Sequence, residues 1–299
     1  GEQRYADFDG HQNSLFGYYR FFAEHNIPVD FIHRKNLETG EVSQYKLIIV
    51  PYPLMFSQNA ADGLKNYVKQ GGHAVAEARL AWNDERGFAA EVIPGMGLDE
   101  VFSAQETSVR MSEKVIMKII ANTHPAIKGF DQNDSLKGAY FAESLEPIKN
   151  SSAQVLASLD DGTPSIIASK YGKGETILLG SFLGMANHPD ADQKNNQFLM
   201  NLLDWAKITR PFKTSHDGKI ATPVEVRMQS HANGWLMFVI NHGENNEAIN
   251  IQINGTADRI YSCREIISNK MIELKSENFV LDFNAAISRK DVQIWRIVP

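Results

Sequence analysis

A single cysteine, Cys263, stands in 299 residues. One thiol excludes an intramolecular disulfide and any metal site built from several cysteines. Lying in a predicted strand, it reads as a small buried apolar group. Positive charge is also short: 30 Lys and Arg face 36 Asp and Glu, for a net charge of −6 at pH 7. Non-specific nucleic-acid binding needs a basic footprint, so no nucleic-acid partner is expected. No apolar run approaches the roughly 18–20 residues of a membrane span, so no membrane partner is expected either. No signal-peptide pattern is visible, and Gly1 need not be the native start, which leaves the compartment open. There is no internal repeat and no low-complexity tract. What the chain does have is a 43% hydrophobic and 22% charged composition. That is ordinary for a soluble globular protein, at a length that allows two domains and a sizeable core.

The segment from Tyr45 to Arg86 organises the rest. Leu47–Val50 is a short apolar run rich in β-branched residues, the pattern of a buried strand. Pro51 and Pro53 end it, having no N–H for a ladder. Ser57 is placed to cap a helix. Ala60, Ala61, Leu64 and Val68 then form one apolar stripe. Gly71-Gly72 closes the helix, and His73–Ala78 is a second apolar strand. Strand, helix and strand in this space make a βαβ unit, which requires parallel pairing. Ligands of such sheets bind beyond the carboxyl ends of the strands, where Tyr52, Pro53, Arg79 and the loop Trp82–Arg86 fall.

On either side the pattern is less regular. The first 13 residues are polar and read as a loop. Leu15, Tyr18, Tyr19 and Phe22 predict a helix over 14–25; Phe16 and Phe21 lie off that stripe. Such a helix packs on a sheet and on something else, or sits at a subunit or domain interface, where aromatics are enriched. After Asn26-Ile27-Pro28, residues 29–33 predict a strand. An α/β domain of this kind opens on a strand, and none precedes Ser14. The expectation is a chain that lost its first strand or starts mid-protein, with any catalytic part upstream. Residues 87–150 read as an insertion or elaborated crossover: a Gly95/Gly97 turn into a short helix, strands within 107–121, a turn at 124–127, and weak strands at 139–141 and 146–148. Strands at 154–158, 165–170 and 175–180 are joined by glycine-bearing turns. A helix over 195–208, with Phe198, Leu199, Leu202 and Trp205 on one face, closes an α/β domain of residues 1–209. Beyond Thr209-Arg210-Pro211 no helical period recurs. Seven short strands, beginning near 225, 235, 248, 259, 271, 279 and 292, predict a small antiparallel sandwich over 210–299.

Several groups invite a chemical reading. A hydrolase or amidotransferase of this architecture sets its nucleophile on the sharp turn after a strand. Here that turn reads Ala76-Glu77-Ala78-Arg79-Leu80, without Cys and without G-x-S-x-G, so no catalytic residue is assigned. Trp82, Asp84, Glu85 and Arg86 put an indole, two carboxylates and a guanidinium at the functional edge. Paired carboxylates serve glycoside chemistry, but neighbours in one loop rarely face each other; sugar contact, a structural ion pair and an interface loop all remain open. His188-Pro189-Asp190-Ala191-Asp192 offers metal-ligand types without a further cluster nearby, and is read as a solvated loop with no metal. Tyr171-Gly172-Lys173-Gly174 lacks the Walker pattern and leads into a strand, so it is a hairpin turn, and no cofactor is expected.

The segments Gly17–Arg20 to Ile27–Asp30, Tyr45–Pro51, Tyr67–Gly72 and Glu77–Arg79 together resemble the trimerisation domain of family-42 glycoside hydrolases, the bacterial β-galactosidases. Residues 154–208 look like the end of that domain. Residues 212–299, with Val224–Arg227 and Phe238–His242, resemble the small C-terminal β domain of the same enzymes. The resemblance implies a flavodoxin-like, class I glutamine-amidotransferase-like parallel sheet domain without its triad, followed by an antiparallel β-sandwich. It implies a non-catalytic oligomerisation and accessory region in carbohydrate metabolism. The partners would be further copies of the chain, as a trimer, and a galactoside-type carbohydrate in the parent enzyme, in a bacterial cytoplasm or periplasm. In such enzymes this domain helps wall the neighbouring subunit's site, which would bring Trp82, Asp84, Glu85 and Arg86 near sugar. The family's catalytic (β/α)₈ barrel, of about 250 residues, is not in this sequence, and none of its catalytic residues can be placed here. Two other readings stand beside this one: a stand-alone carbohydrate-binding or scaffolding module, and an amidotransferase-like enzyme with an atypical nucleophile near Ala78.

Overall fold

The computed structural model describes residues 9–121, 123–187, 193–216, 223–231 and 233–299. The chain divides into two compact units, Gly1–Tyr18 with Phe31–Ile208, and Tyr19–Asp30 with Thr209–Pro299.

The first unit is built on the predicted βαβ element. Strand β1 (Leu47–Val50) pairs in parallel with β2 (His73–Ala76). Helix α3 (Gln58–Lys69) crosses between them, after α1 (Gly10–Glu24) and α2 (Arg34–Thr39). Ser57 caps α3 as expected, its Oγ accepting from the Ala60 N–H at 3.2 Å. Ala60, Ala61, Leu64, Tyr67 and Val68 turn inward and meet Ile48, Ala74, Ala76 and Leu178 in one core. Burial of such side chains contributes about 1.5–3 kcal/mol for each large one.

The sheet continues as β3 (Ala104–Ile119), β4 (Ser135–Pro147), β5 (Gln154–Ser158), β6 (Pro164–Tyr171) and β7 (Gly174–Leu179), in spatial order β1-β2-β7-β6-β5-β3-β4. Among the described strands of this sheet, β1, β2 and β7 pair in parallel and the other pairings are antiparallel. The expected parallel sheet is therefore a mixed one. The cause is loop length: Gly162 (φ 83) and Gly172 (φ 61) close tight turns, and a tight turn can return a strand only antiparallel. Residues 87–150 are not an excursion from the sheet. After the short helix α4 (Leu98–Phe102), β3 and β4 form a long hairpin that makes the sheet's last two strands. The expected strand at 29–33 does not form. Its apolar residues Val29 and Phe31 are exposed, and His33 instead caps α2. The short α5 (Leu183–Ala186) follows β7, and α6 (Gln193–Trp205) buries Phe198, Leu199, Leu202, Leu203 and Trp205.

The second unit has two antiparallel sheets. One has the order β13-β12-β15-β10-β9 and the other β14-β11-β8, from β8 (Phe212–Ser215), β9 (Val224–His231), β10 (Gly234–Asn241), β11 (Glu247–Asn254), β12 (Ile260–Glu265), β13 (Met271–Lys275), β14 (Val280–Ile287) and β15 (Val292–Val298). All seven expected strands are present, and β8 is added. Val226, Met237, Cys263 and Ile297 of one sheet share a core with Ile251, Leu281 and Phe283 of the other, as in a sandwich. Asn26 belongs to this unit: its amide donates to Thr214 Oγ1 at 3.1 Å and to the Val224 carbonyl, and its Oδ1 accepts from Val226 N–H at 2.8 Å.

Candidate functional site

The turn after β2 lies at the carboxyl ends of the parallel strands, where this architecture places ligands. Two acidic side chains fill it from within. Glu77 is fully buried. It accepts hydrogen bonds from Ser14 Oγ (2.5 Å), Tyr18 Oη (3.0 Å), the Tyr52 N–H (2.9 Å) and the Gly184 N–H (2.8 Å). Burial pushes its carboxyl above the usual range, and these four donors pull it back. The Tyr18 phenol is raised well above its ordinary value, by burial first and by the Glu77 charge second. One carboxylate thereby ties α1, the end of β1, the end of β2 and α5 together.

Two residues further on, Arg79 takes the left-handed conformation at φ 62, uncommon without glycine. Its N–H donates to Glu143 Oε2 at 3.1 Å, its guanidinium makes a two-pronged ion pair with Glu106, and the same group lies 3.9 Å from the Trp82 ring centroid. Glu143 is 1% exposed. Burial, and then the Glu106 carboxyl beside it, raise its pKa well above the ordinary value. One cation thus serves two acids, and Glu143 holds its proton more tightly than an ordinary carboxyl does. The backbone N–H that an open turn would offer to a developing oxyanion is already taken by this chain's own side chain. The turn residues themselves, Ala76 to Leu80, carry no thiol, amine or hydroxyl. Ser14 is buried and its hydroxyl is spent donating a hydrogen bond to Glu77.

Of the residues singled out in the adjoining loop, Trp82 is half-buried under Arg79. Asp84 Oδ1 accepts from the N–H groups of Arg86 (2.9 Å) and Phe88 (2.8 Å), so it shapes its own loop. Glu85 and Arg86 are exposed, and among the described residues neither forms an ion pair. The loop therefore does not assemble facing carboxylates for acid/base work. Met55 and Phe88 beside it are 61% and 70% exposed. The stretch 188–192 lies outside the described residues, among which no group of three or more His, Cys, Asp and Glu could hold a metal ion. Cys263 is buried in β12, and burial pushes its thiol up to about 12, which makes it unreactive. Sequence reasoning passed over Glu77, Glu106 and Glu143. Glu77 did carry a signal, as the one acid in the apolar run from His73 to Ala78.

These features define a class: a mixed α/β domain whose strand-end turn is closed by its own carboxyls, joined to an antiparallel β unit. Residues 3–209 match the β-galactosidase trimerisation domain family. The chain belongs to that family, a non-catalytic region of glycoside hydrolases. The β-galactosidase LacZ of Heyndrickxia coagulans is 26% identical over 231 residues, covering 76% of this chain and 30% of that protein. The β-galactosidase BgaB of a Geobacillus species is 24% identical over 248 residues, covering 82% and 32%. The crystal structure of a β-galactosidase from Bacillus circulans sp. alkalophilus superposes with a TM-score of 0.72 at 19% identity, over 97% of this chain and 38% of that one. The chain spans about a third of the length of the curated relatives it matches.

Proposed function

We propose that this chain is the oligomerisation and accessory region of a β-galactosidase-like glycoside hydrolase, assembling copies of itself into a trimer, while the parent protein acts on galactosides. The observation that carries the reading is the plugged turn within a region matching a trimerisation domain. The α/β part, 1–209, is read as an amidotransferase-like domain that has lost its triad, with 210–299 as the C-terminal β domain. The ligand end of its sheet has been converted from a reaction site into a rigid internal joint. Trp82, Asp84, Glu85 and Arg86, with the exposed Phe88, present the surface that meets another copy or the carbohydrate held there.

Sedimentation equilibrium of the isolated chain tests assembly: a mass three times that of the monomer is expected, and a monomer at high micromolar concentration would overturn the reading. The same preparation should leave nitrophenyl galactosides intact. Robust turnover by pure protein would contradict the non-catalytic assignment.

A further inference from the structure

Away from the strand-end turn, the α/β unit carries a second concave feature. Helix α2 ends on Gly40 in the left-handed conformation (φ 76), and the chain then runs back along α3. The two helices touch at Gly63, where a Cβ would stand 2.0 Å from the Leu37 carbonyl oxygen. A cleft of about 340 Å³ opens between the face of α3 and the turn at 37–43.

The lining has a definite chemistry. Asn59, Asp62, Asn66 and Gln70 recur along one face of α3, at steps of three and four residues. Thr39 and Ser43 stand opposite, over a floor that includes Leu37 and Val42. Among the described residues, the side-chain amides of Asn59, Asn66 and Gln70 have no hydrogen-bond partner. Among the described residues no Lys, Arg or His lines the cleft, whereas two carboxylates do. Glu38 is engaged by Arg34 and the Ser57 hydroxyl, and Asp62 by Gln58. That balance disfavours anions. Amide groups present a donor and an acceptor side by side, and hydroxyls are both at once, so each unpaired amide matches a vicinal pair of hydroxyls. The Leu37 and Val42 floor suits the C–H patches between them. The volume lies near the lower end of the roughly 300–1,000 Å³ of small-molecule sites.

We infer that the α2–α3 cleft binds an uncharged polyhydroxylated ligand of the size of a mono- or disaccharide. The inference goes beyond the assembly role and stands on the lining alone. Saturation-transfer difference NMR on the whole chain with millimolar lactose tests it, with galacturonate as an anionic control. Lactose should receive saturation and galacturonate should not. In the triple variant Asn59→Ala/Asn66→Ala/Gln70→Ala the lactose signal should fall more than about ten-fold, because three hydrogen bonds are removed together. All three residues are exposed on a helix that alanine favours, so the fold should persist by circular dichroism. Asn66→Lys, which fills the cleft without altering the other walls, provides a second reading with the same expected loss. Absence of saturation from the unmodified chain, equal saturation of galacturonate, or an undiminished signal in both variants would each overturn the inference.

Discussion

Three buried acids show how strongly context decides what a carboxyl does. Glu143, held beside Glu106 and served by the N–H of Arg79, has a raised pKa. Both folded and unfolded chains are protonated at Glu143 below the ordinary value of about 4.3. Above it the unfolded chain releases the proton and the folded one does not, so stability falls with rising pH until Glu143 itself ionises. Glu143→Gln keeps the shape and an acceptor for Arg79 N–H while removing the proton. Urea titrations at pH 5 and pH 8 should show the α/β unit losing stability in the unmodified chain, and losing less in the variant. Glu265 in β12 runs the other way. Burial opposes its charge, but hydrogen bonds from the Ser268 hydroxyl and from the N–H groups of Ser268, Ile294 and Ile267 outweigh that and hold it at about 2. Its stabilisation is complete above the ordinary carboxyl range and is lost as pH falls toward 2, so Glu265→Gln should lessen the acid sensitivity of the β unit. Glu77→Ala is the severe case. It strands four donors, two hydroxyls and two backbone N–H groups, in the interior. At about 1–3 kcal/mol for each unsatisfied buried group, the loss should exceed about 3 kcal/mol. A urea midpoint within error of the unmodified chain would contradict this account.

At the scale of elements, what could be read in the sequence was what is encoded locally. The Leu47–Val50 run, the Ser57 cap, the α3 stripe and the turn glycines all act within a few residues, and β1-α3-β2 forms where they place it. The β strands of the second unit were equally legible, because polar turns at regular spacing cut the sequence into lengths only a strand can fill. The β3–β4 hairpin was legible only in part: strands within 107–121 and weak ones at 139–141 and 146–148 could be read, but not their length or their pairing. Much of β3 faces solvent, so buried alternation is confined to its last residues, and two register shifts break the period further. Val29 to His33 is apolar enough for a strand, yet among the described residues it pairs with none, and His33 is drawn into the cap of α2. The strand-end cluster was hidden for a stronger reason: Glu77 finds its partners 63, 25 and 107 residues away in sequence, and no local pattern carries such contacts. The same logic sets two expectations for elements. Ser57→Ala removes both the α3 cap and the hydroxyl that donates to Glu38, and should cost about 1–2 kcal/mol. Gly63→Ala forces a methyl against the Leu37 carbonyl, so α2 must lift from α3 at a cost of about 1–3 kcal/mol. Both are read from urea unfolding.

For the whole molecule, assembly is the decisive question. A cyclic trimer closes through heterologous contacts, so each copy gives two different surfaces and every interface in the ring is the same. A single surface substitution on one of them therefore acts three times. Trp82 is a poor place to make it, since the ring is half-buried against Arg79 and its loss would loosen the joint as well as the surface. Phe88 is better: it is 70% exposed, and only the loop's backbone, fixed by Asp84, depends on its neighbourhood. Met55, 61% exposed, is brought beside the loop by the Met55–Asn83 bridge, which adds a second exposed apolar side chain to this edge. If this spot meets another copy, Phe88→Asp buries an unpaired carboxylate in every contact. That should weaken each by at least about 2 kcal/mol, with the circular dichroism unchanged. The unmodified chain should then sediment as a trimer and the variant as a monomer at the same concentration. A variant that still sediments as a trimer would remove the Trp82–Arg86 loop from the self-contact.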